Sequence, residues 1–498
     1  MPGDAWAYHA VMHPGSASPR VRLGGVLVAI IAVVAVVACA PSTETSEPPR
    51  ATGEPPTIRV PIIVDTDLDV SDVAALAVLL REPSLDVRAV TVAPTGTGVT
   101  NCATGRRLVR YVLEELGASS IPHACGREDA GEDAIPFPAE WRTDADGGWG
   151  MTMPPRPQSD LPESAVDLLA RTVDDSPSAP TIVALGPWTN LEDAIAADPT
   201  FADRIAGLHA MAGAIDVPGN VMVEGVTAED GLEWNLAADP SAVVAMFDTA
   251  TPISIVPLDA TDDVPADPTL LTELTADHEA GAADLVYEIL VRVPGRFGDG
   301  QQLWDELAAL ALPNPDLVTW EEADILADAS GRLSRDPAGR PVRFAVAADR
   351  SAVESALLEA LQRGPGRATP FELSGQLTVT WDGSSCATKP FEALTPGVVQ
   401  VTFENASGTP AGVLLAGAEP PHSWDELTAV IKGLDIETDT PPDWIIEGAG
   451  VNDDAGTGAP VSGTLVARPA TYGPICVTGT WPDLVFTPGE GFEVPAAP

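Results

Sequence analysis

Between residues 59 and 365 the chain alternates wholly apolar segments with amphipathic ones, and this alternation limits the folds open to it more than any other feature. The apolar segments include "IRVPIIVD" (58–65), "VRAVTVAP" (87–94) and "PTIVALG" (180–186), and helical patterns follow them, among them 71–83 with Ser71 at its N-cap. Strands that are apolar on both faces must be covered on both faces, which helical crossover connections accomplish. The sequence therefore predicts an α/β domain over 59–365 with an open, mostly parallel sheet, in which ligands bind at the carboxyl ends of the strands.

The chain changes character after "GRATPFELSG" (366–375). Segments such as "QLTVTW", "GVVQVTFEN" and "ICVTGTW" follow, separated by Gly, Pro and Asn. Short β-rich segments between turn residues are typical of all-β domains. We therefore expect a small all-β sandwich domain over 372–498.

The first 58 residues have the composition of an export signal and a tether. Arg20 and Arg22 precede an apolar run that ends in "VVAC", and residues rich in Ser, Thr, Glu and Pro follow Cys39. A basic segment, an apolar segment and small residues before a cleavage point describe a secretory signal, and "VVAC" resembles a bacterial lipobox. The sequence thus predicts a lipoprotein signal over 1–39, lipidation of Cys39, a flexible linker over 40–58 and an extracytoplasmic, lipid-anchored protein at the cell membrane. An uncleaved membrane anchor is the alternative.

Four cysteines remain once Cys39 is set aside, and none of them lies in a CxxC pair. Zinc binding is therefore not expected, and outside the cytoplasm two disulfides are the natural interpretation. The pairing that is local in sequence is Cys102–Cys125 with Cys386–Cys476. The other two pairings stay open on sequence grounds.

The charge balance excludes one large class of partners. The chain has 73 acidic and 26 basic residues and a formal net charge of −47. A field of that sign repels phosphate backbones, so we expect no nucleic-acid partner. The same field attracts cations.

The most unusual segment is "IIVDTDLDVSDVAAL" (62–76), in which an apolar strand runs into a cluster of aspartates. Two known aspartate motifs do not fit it. An EF-hand loop counted from Asp65 would need glycine and glutamate at the positions that hold Val70 and Leu76. The motif of haloacid dehalogenase-type phosphatases would need Thr or Val at the position of Asp69.

A third interpretation accounts for the repulsion between these like charges. The strand delivers Asp65 and Asp67 at its carboxyl end, and Asp72 follows in the first turn of the next helix. Their oxygens can converge on one hard cation, and Ca²⁺ accepts six to eight oxygen ligands of mixed type. Helix capping and solvation alone do not explain an aspartate at the end of an apolar strand. The cluster therefore predicts a metal site.

Six segments, in order, resemble the inosine–uridine-preferring nucleoside hydrolases. The first is "IIVDTDLDVSDVAALAVLL", which is similar to the Asp-Thr-Asp-Pro-Gly-Ile-Asp-Asp opening of that family. The others are "VALGPWTNLEDAIAADP", "HAMAGAIDVPGN", "LEWNLAADPSAVVAMF", "LDATDDV" and "LWDELAALALPNPDLV". The resemblance covers about 59–365 and implies an open α/β fold, a calcium ion, and hydrolysis of the N-glycosidic bond of a ribonucleoside.

The resemblance also assigns roles to individual residues. It implies that the ion is held by Asp67, Asp72, the carbonyl of Thr189, and Asp305, and that Asp67 is the general base. It places Asp305, Asn220, Glu233 and Asn235 at the substrate, with Asp65 in support of the cluster. Taken singly, Asn220 also reads as a turn residue, and Glu233 and Asn235 as residues at a helix start.

The chain departs from the family pattern at four positions. Ser71 replaces one of the paired aspartates, and Asp69 stands where glycine is usual. "TVAPTGTG" (91–98) places Thr95 or Thr97 where an asparagine would meet the sugar. Trp304 stands where many members carry a histidine that protonates the leaving base or lies near it; tryptophan has no acidic proton at neutral pH but can stack on a ring.

A Gly/Trp-rich segment, "PAEWRTDADGGWGM" (138–151), has the composition of a loop over the pocket mouth. Trp141 and Trp149 are its candidate substrate contacts, and packing within the loop is the alternative for both.

These observations predict an exported, calcium-dependent hydrolase of ribosides whose activity is altered by the four departures. A rival hypothesis keeps the fold and the ion but loses catalysis, leaving a surface lipoprotein that captures ribosides or sugars. A third hypothesis makes the C-terminal domain an adhesive module. In the first two the partner is a small-molecule riboside, and the only membrane contact is the N-terminal lipid.

Overall fold

The computed structural model describes residues 59–496 except for a few short segments. The segments left out are 132, 152, 154–162, 267–269, 271–272, 275, 294–300, 368–369, 392, 434–441, 443, 454–455 and 480–483. The predicted signal, Cys39 and the linker over 40–58 lie outside the described residues. Within the described ranges no helix is both long enough and apolar enough to cross a membrane.

A nine-stranded sheet forms the centre of the first region, in the order β3-β2-β1-β4-β5-β6-β9-β7-β8. Its first seven strands along this order are parallel, and β7 is antiparallel to both β9 and β8. The strands are β1 (Val60–Thr66), β2 (Leu85–Val92), β3 (His123–Cys125), β4 (Thr181–Ala184), β5 (Gly207–Met211), β6 (Ile253–Val256), β7 (Val318–Ala327), β8 (Leu333–Arg335) and β9 (Arg340–Ala348). The prediction of an open, mostly parallel sheet is confirmed.

Helices cover both faces of this sheet. They are α1 (Val70–Arg81), α2 (Cys102–Glu115), α3 (Ala139–Asp146), α4 (Ala165–Asp175), α5 (Thr189–Ala197), α6 (Trp234–Ala237), α7 (Pro240–Phe247), α8 (Leu258–Thr261), α9 (Ala283–Arg292), α10 (Trp304–Ala311) and α11 (Arg350–Leu361). Alternate residues of β1 enter different cores, because successive side chains of a strand point to opposite faces. Ile62 and Val64 join the core with α1, α2 and α10, whereas Ile63 joins the core with α4, α5 and α7.

The start of α1 differs from the prediction. The N-cap is Asp69 and the helix begins at Val70, so the assignment of Ser71 as N-cap was wrong. Ser71 lies inside the first turn, and its hydroxyl donates to Asp305 at 2.7 Å. The capping preference of serine is local, whereas the contact with Asp305 depends on the packing of α1 against α10, which lies far along the chain.

The C-terminal region forms two further sheets, as the all-β pattern predicts. One has the order β11-β10-β12-β15; the other has the order β14-β13-β16-β17, with β18 also paired to β16. The strands are β10 (Gly375–Trp381), β11 (Cys386–Thr388), β12 (Gly397–Asn405), β13 (Ala411–Ala418), β14 (Ile445–Asp453), β15 (Val461–Ala467), β16 (Ala470–Thr478), β17 (Val485–Pro488) and β18 (Phe492–Val494). Two features were not predicted: β10 and β12 are parallel, and a helix α12 (Trp424–Gly433) packs beside β13 and β16.

Both predicted disulfides are present. Cys102–Cys125 joins the start of α2 to β3, with 5.6 Å between the Cα atoms. Cys386–Cys476 joins β11 of one C-terminal sheet to β16 of the other, with 5.5 Å between the Cα atoms. Each bridge therefore fixes two elements that backbone pairing alone leaves separate.

The two regions meet along α9. Arg367, in the connection between them, bonds Glu115 of α2 at 2.6 Å and both Asp284 and Glu288 of α9 at 2.9 and 2.6 Å. The hydroxyl of Thr464 on β15 donates to the carbonyl of Val291 at 2.6 Å. One guanidinium thus bonds to three carboxylates, of which Asp284 is fully buried.

We expect Arg367→Met to destabilise the protein by about 3 kcal/mol, because removing one partner of a buried ion pair leaves an uncompensated charge. The measurement is urea unfolding followed by tryptophan fluorescence. Arg171→Met is the matched control, since the exposed Arg171–Glu163 pair should contribute about 1 kcal/mol or less. Equal losses in the two variants would contradict this role of Arg367.

Candidate active site

The aspartate cluster lies where β1 ends and α1 begins, at the carboxyl edge of the parallel sheet. The connecting turn places Leu68 at φ 64°, a left-handed conformation that a leucine seldom adopts. Two side chains hold the turn: the Thr66 hydroxyl accepts the Leu68 N–H at 3.1 Å, and Asp67 Oδ1 accepts the Asp69 N–H at 3.1 Å. The turn brings Asp67, Asp69 and Asp72 into one small volume, and all three are buried.

The carboxylate of Asp67 is held by backbone N–H groups. Besides the Asp69 N–H, it accepts from Thr97 at 3.0 Å and from Gly98 at 3.1 Å, both on the loop after β2. That loop lies so close that a Cβ atom on Gly96 would be 1.9 Å from Asp67 Oδ2. Glycine is required there by this close approach, and the sequence pattern did not reveal it.

Asp72 and Asp305 complete the cluster. Asp72 Oδ1 accepts from the Thr66 hydroxyl at 2.5 Å and from the Asp67 N–H at 3.1 Å. Asp305, in the first turn of α10, accepts from Ser71 through Oδ2. Its Oδ1 is buried and has no hydrogen-bond partner in the described part of the chain. α1 and α10 pack against each other, which brings Asp305 to the cluster from 233 residues beyond Asp72.

The negative charges of these buried carboxylates require compensation by a cation or by protons. Burial raises the pKa of Asp67 well above its usual range, and the charges of Asp72 and Asp69 raise it further. Burial also raises the pKa of Asp72, to about 6. The pKa of Asp305 is raised well above its usual range by burial first and then by the charge of Asp72. Burial in a low-dielectric environment and like charges both disfavour the ionised form.

The donor set fits a hard divalent cation. It consists of carboxylate oxygens, one of them buried without a partner, and hard cations prefer such ligands. Within the described segments, however, no three His, Cys, Asp or Glu side chains are arranged as a ready-made metal-binding group.

Asp65 and Asp69 flank the cluster in different ways. Asp65 accepts from the Thr91 hydroxyl at 2.6 Å and from the Asn190 amide at 2.7 Å. Burial raises the pKa of Asp65 to about 7. Asp69 is buried at the N-cap of α1, and its charge contributes to the raised pKa values of Asp67 and Asp72. Asp65 thus ties β1 to β2 and α5, whereas Asp69 adds negative charge to the cluster.

Thr189 and Thr95 lie together on one hydrogen-bond chain. Their hydroxyls are 2.8 Å apart, and the Thr189 hydroxyl donates to Asp239 at 2.8 Å. Asp239 in turn pairs with Arg127 at 2.8 Å. The predicted role of Thr189 concerns its carbonyl, so this side-chain network is an addition that the sequence did not reveal. It fixes the loop after β2 to the start of α5.

The three residues predicted to bind ribose, Glu233, Asn235 and Asn220, form hydrogen bonds that stabilise the local backbone. Glu233 caps α6 and accepts the N–H groups of Gly213 and Asn235, each at 2.9 Å. The Asn235 amide donates to the carbonyls of Leu185 and Met211 at 3.0 and 3.1 Å, at the carboxyl ends of β4 and β5. Asn220 Oδ1 accepts the Trp234 N–H at 3.1 Å. The structure therefore brings Glu233 and Asn235 to the same sheet edge as the aspartates.

Trp304 and Ser71 line a narrow apolar crevice beside Asp305, together with Val70, Leu303 and Gln302. The indole N–H of Trp304 is buried and lacks a hydrogen-bond partner among the residues that the structure describes. The position for which the sequence resemblance implies a histidine thus holds a half-buried ring whose N–H bonds to none of the described residues.

The two tryptophans of the Gly/Trp-rich segment differ in position. Trp141 on α3 is 48% exposed, and its ring meets Trp234 edge-on with the centroids 5.2 Å apart. Trp149 is 3% exposed and belongs to the core, so of the two predicted alternatives packing applies to it. Arg142, which lies between them, donates to the carbonyls of Pro94 and Val99 of the loop after β2; nothing in its sequence neighbourhood suggested this contact.

The region that carries the cluster is similar in sequence to known proteins. The family model for inosine-uridine preferring nucleoside hydrolase matches residues 62–355. Uridine nucleosidase 1 of Arabidopsis thaliana is 27% identical over 276 residues, which are 54% of this chain and 79% of that protein. A pyrimidine-specific ribonucleoside hydrolase of Citrobacter koseri is 31% identical over 208 residues, which are 41% of this chain and 62% of that protein.

Solved structures share the fold. A plant nucleoside hydrolase superposes with a TM-score of 0.52 at 27% identity, covering 61% of this chain and 99% of that one. The inosine-uridine preferring nucleoside hydrolase of Bacillus anthracis gives a TM-score of 0.52 at 21% identity, with the same coverage of 61% and 99%. The part of the chain that carries the aspartate cluster is the part that matches. The chain belongs to the inosine-uridine preferring nucleoside hydrolase family.

Proposed function

We propose that this protein is an exported, calcium-dependent hydrolase of N-glycosidic bonds in ribonucleosides or related ribosides. The observation that carries the proposal is the buried carboxylate cluster at the carboxyl edge of the sheet. The hydrogen bonds recorded to its carboxylates come from hydroxyl groups and backbone N–H groups. A group of buried carboxylates with strongly raised pKa values is a candidate functional site on physical grounds.

In this proposal Ca²⁺ is held by Asp67, Asp72, Asp305 and the carbonyl of Thr189. The unpartnered Asp305 Oδ1 and the mutual repulsion of the three carboxylates support the assignment. When bound, the ion would polarise the attacking water and lower the pKa of that water.

Asp67 takes the proton from that water in the proposed reaction. Its carboxylate is oriented by three backbone N–H groups, so it is positioned before the substrate arrives. As the bond to the base breaks, the sugar acquires positive charge like that of an oxocarbenium ion. The surrounding carboxylates stabilise that charge electrostatically. In this proposal the ribose hydroxyls are bound by Asn220, Glu233, Asn235 and Thr95.

Trp304 changes what the site does to the leaving group. Its indole N–H can donate a hydrogen bond but cannot transfer a proton at neutral pH. Substrates whose leaving group departs without protonation are therefore preferred. We expect p-nitrophenyl riboside to be hydrolysed faster than inosine, with Trp304 stacking on the ring.

We expect Asp67→Asn to lower kcat for p-nitrophenyl riboside by about 10²–10⁴-fold, the usual contribution of a general base. Release of p-nitrophenol at saturating Ca²⁺ is the measurement. Asp86→Asn, on the half-exposed face of β2, is the matched control and should retain activity. Activity of Asp67→Asn equal to that of the control would rule out Asp67 as the base.

Asp305→Asn should change stability in opposite directions with and without Ca²⁺. Without the ion the variant is more stable than the parent, because it removes a buried charge that Asp72 repels. The raised pKa of Asp305 means that this group binds more protons in the folded parent than in the unfolded chain, so it lowers parental stability as pH rises above about 4. The variant lacks this contribution, whereas Asp65, Asp67 and Asp72 keep theirs.

With the ion the order reverses. Ca²⁺ at 100 times its Kd should stabilise the parent by about 2.7 kcal/mol and the variant much less. Thermal unfolding at pH 5 and pH 8, with Ca²⁺ or with a chelator, measures both effects. An Asp305→Asn protein with the full calcium-induced rise in Tm would remove Asp305 from the ligand set.

The rival function is capture of ribosides without turnover. The Ser71–Asp305 hydrogen bond and the replacement of the family histidine by Trp304 favour it. Calorimetric titration of the purified protein with ribose and with uridine, run beside the turnover assay, separates the two functions. Binding in the micromolar range with no turnover of any riboside would favour the receptor.

Export and lipidation are a separate part of the proposal and rest on the "VVAC" segment before Cys39. We expect Cys39→Ala to abolish incorporation of labelled palmitate into the protein in a bacterial host. The other four cysteines form the two disulfides, so Cys39 is the one cysteine of the sequence that is available for acylation. The parent protein is the control. Palmitate labelling that survives the substitution would contradict the lipobox.

A further inference from the structure

The loop over 93–100, "APTGTGVT", wraps around Asp67. Its N–H groups at Thr97 and Gly98 donate to the carboxylate, and the Val99 N–H donates to the Asp67 carbonyl at 3.0 Å. The loop therefore holds the backbone of Asp67 as well as its side chain.

This loop has little internal structure to fix its shape. It contains no strand or helix, and one of its own backbone bonds, from Gly96 N–H to the Ala93 carbonyl, is 3.3 Å long. Gly96 and Gly98 are required because the loop passes so close to Asp67. Glycines raise the entropic cost of ordering a segment. Contacts from outside the loop must offset that cost.

Two side chains of α3 supply such contacts at both ends of the loop. One guanidinium nitrogen of Arg142, Nη2, donates to the carbonyl of Pro94 and to that of Val99, the latter at 2.6 Å. Asp146 accepts the Thr100 N–H at 2.9 Å and the Thr100 hydroxyl at 2.6 Å. Thr97 and Gly98 lie between these attachment points.

The helix that carries Arg142 and Asp146 is itself anchored. Residues 148–150 adopt left-handed conformations, with φ of 63°, 50° and 69°, and this turn inserts the side chain of Trp149 into the core. Arg292 at the end of α9 donates to the Gly150 carbonyl at 3.2 Å. α3 is thus fixed to the α/β core independently of the loop.

We propose that Arg142 is a positioning residue, which acts with Asp146 through the loop over 93–100 to orient the Asp67 carboxylate. The catalytic importance of orienting Asp67 rests on the proposed function. The attachment of the loop by Arg142 and Asp146, which we call the clamp, is a property of the fold itself. Arg142 touches neither substrate nor ion in this account.

A purely electrostatic role for Arg142 predicts a different sign. Its guanidinium interacts with Asp67 and Asp146 through charge. If charge alone mattered, removing the positive Arg142 would strengthen calcium binding and removing the negative Asp146 would weaken it. The clamp predicts that both substitutions weaken calcium binding, because both release the same loop.

The test uses the full chain with Arg142→Met and Asp146→Ala, and Arg171→Met as the matched control on the exposed surface of α4. Calcium affinity is measured by calorimetric titration, and deuterium uptake of the peptide over 93–100 by mass spectrometry. We expect the Kd for Ca²⁺ to rise about tenfold in both variants, as when outer-shell partners of metal ligands are removed. Deuterium uptake at the loop should accelerate about tenfold. The change in Tm of each variant should exceed that of the control variant by no more than a few degrees.

The two readouts keep the inference and the proposed function separable. If the parent protein binds no Ca²⁺, the proposed function fails, and uptake at the loop still decides whether the clamp exists. Unchanged uptake in both variants overturns the clamp, and so does tighter calcium binding by Arg142→Met. Should Arg142→Met not fold, Thr100→Val removes one bond to Asp146 and should accelerate uptake by a smaller factor.

Discussion

The mutual repulsion of buried carboxylates at the carboxyl edge of the sheet is the constraint on which the rest of the α/β region depends. Asp67, Asp72 and Asp305 are taken out of water, and each raises the cost of ionising another. A fold optimised only for stability would replace such a cluster with apolar residues. Its retention requires compensation that acts on those oxygens, by a cation, by protons and by N–H donors.

The arrangement around the cluster follows from that need. The left-handed turn at Leu68 points two backbone N–H groups at the cluster, and the close approach of Gly96 and Gly98 supplies two more. Thr66 and Ser71 add hydroxyl donors to Asp72 and Asp305. These donors come from β1, α1 and the loop after β2, so the strand order determines where the charge can be held.

Much of this was predictable from sequence, and the failures have a common cause. The wholly apolar strands and the amphipathic helices follow from periodicity, and the aspartate cluster identified the sheet edge. The cysteine count indicated two disulfides, and the pairing local in sequence, one of three possible pairings, is the one present. The N-cap assignment to Ser71 failed because a contact with Asp305 outweighs local capping. Arg142, Asn190 and the Thr189–Asp239 bond were missed because each joins elements distant in sequence, and one chain carries no signal for such contacts. The helix α12 was missed because the segments on both sides of it have strand patterns, and the whole region was therefore predicted as β structure.

The departures from the family pattern are therefore best understood as changes in how one charge cluster is balanced. Ser71 in place of an aspartate removes a negative charge next to Asp305 and replaces it with a donor. Asp69 in place of glycine returns a negative charge two residues earlier, at the N-terminus of α1, where the helix dipole stabilises it. The number of acidic groups is thus kept while one of them moves from the Asp305 side of the cluster to the Asp67 side. Under the proposed function, a site altered in this way keeps the negative charge that a cation needs but presents a hydroxyl where the sequence resemblance implies a carboxylate. We therefore expect the exchange to affect sugar binding more than ion binding.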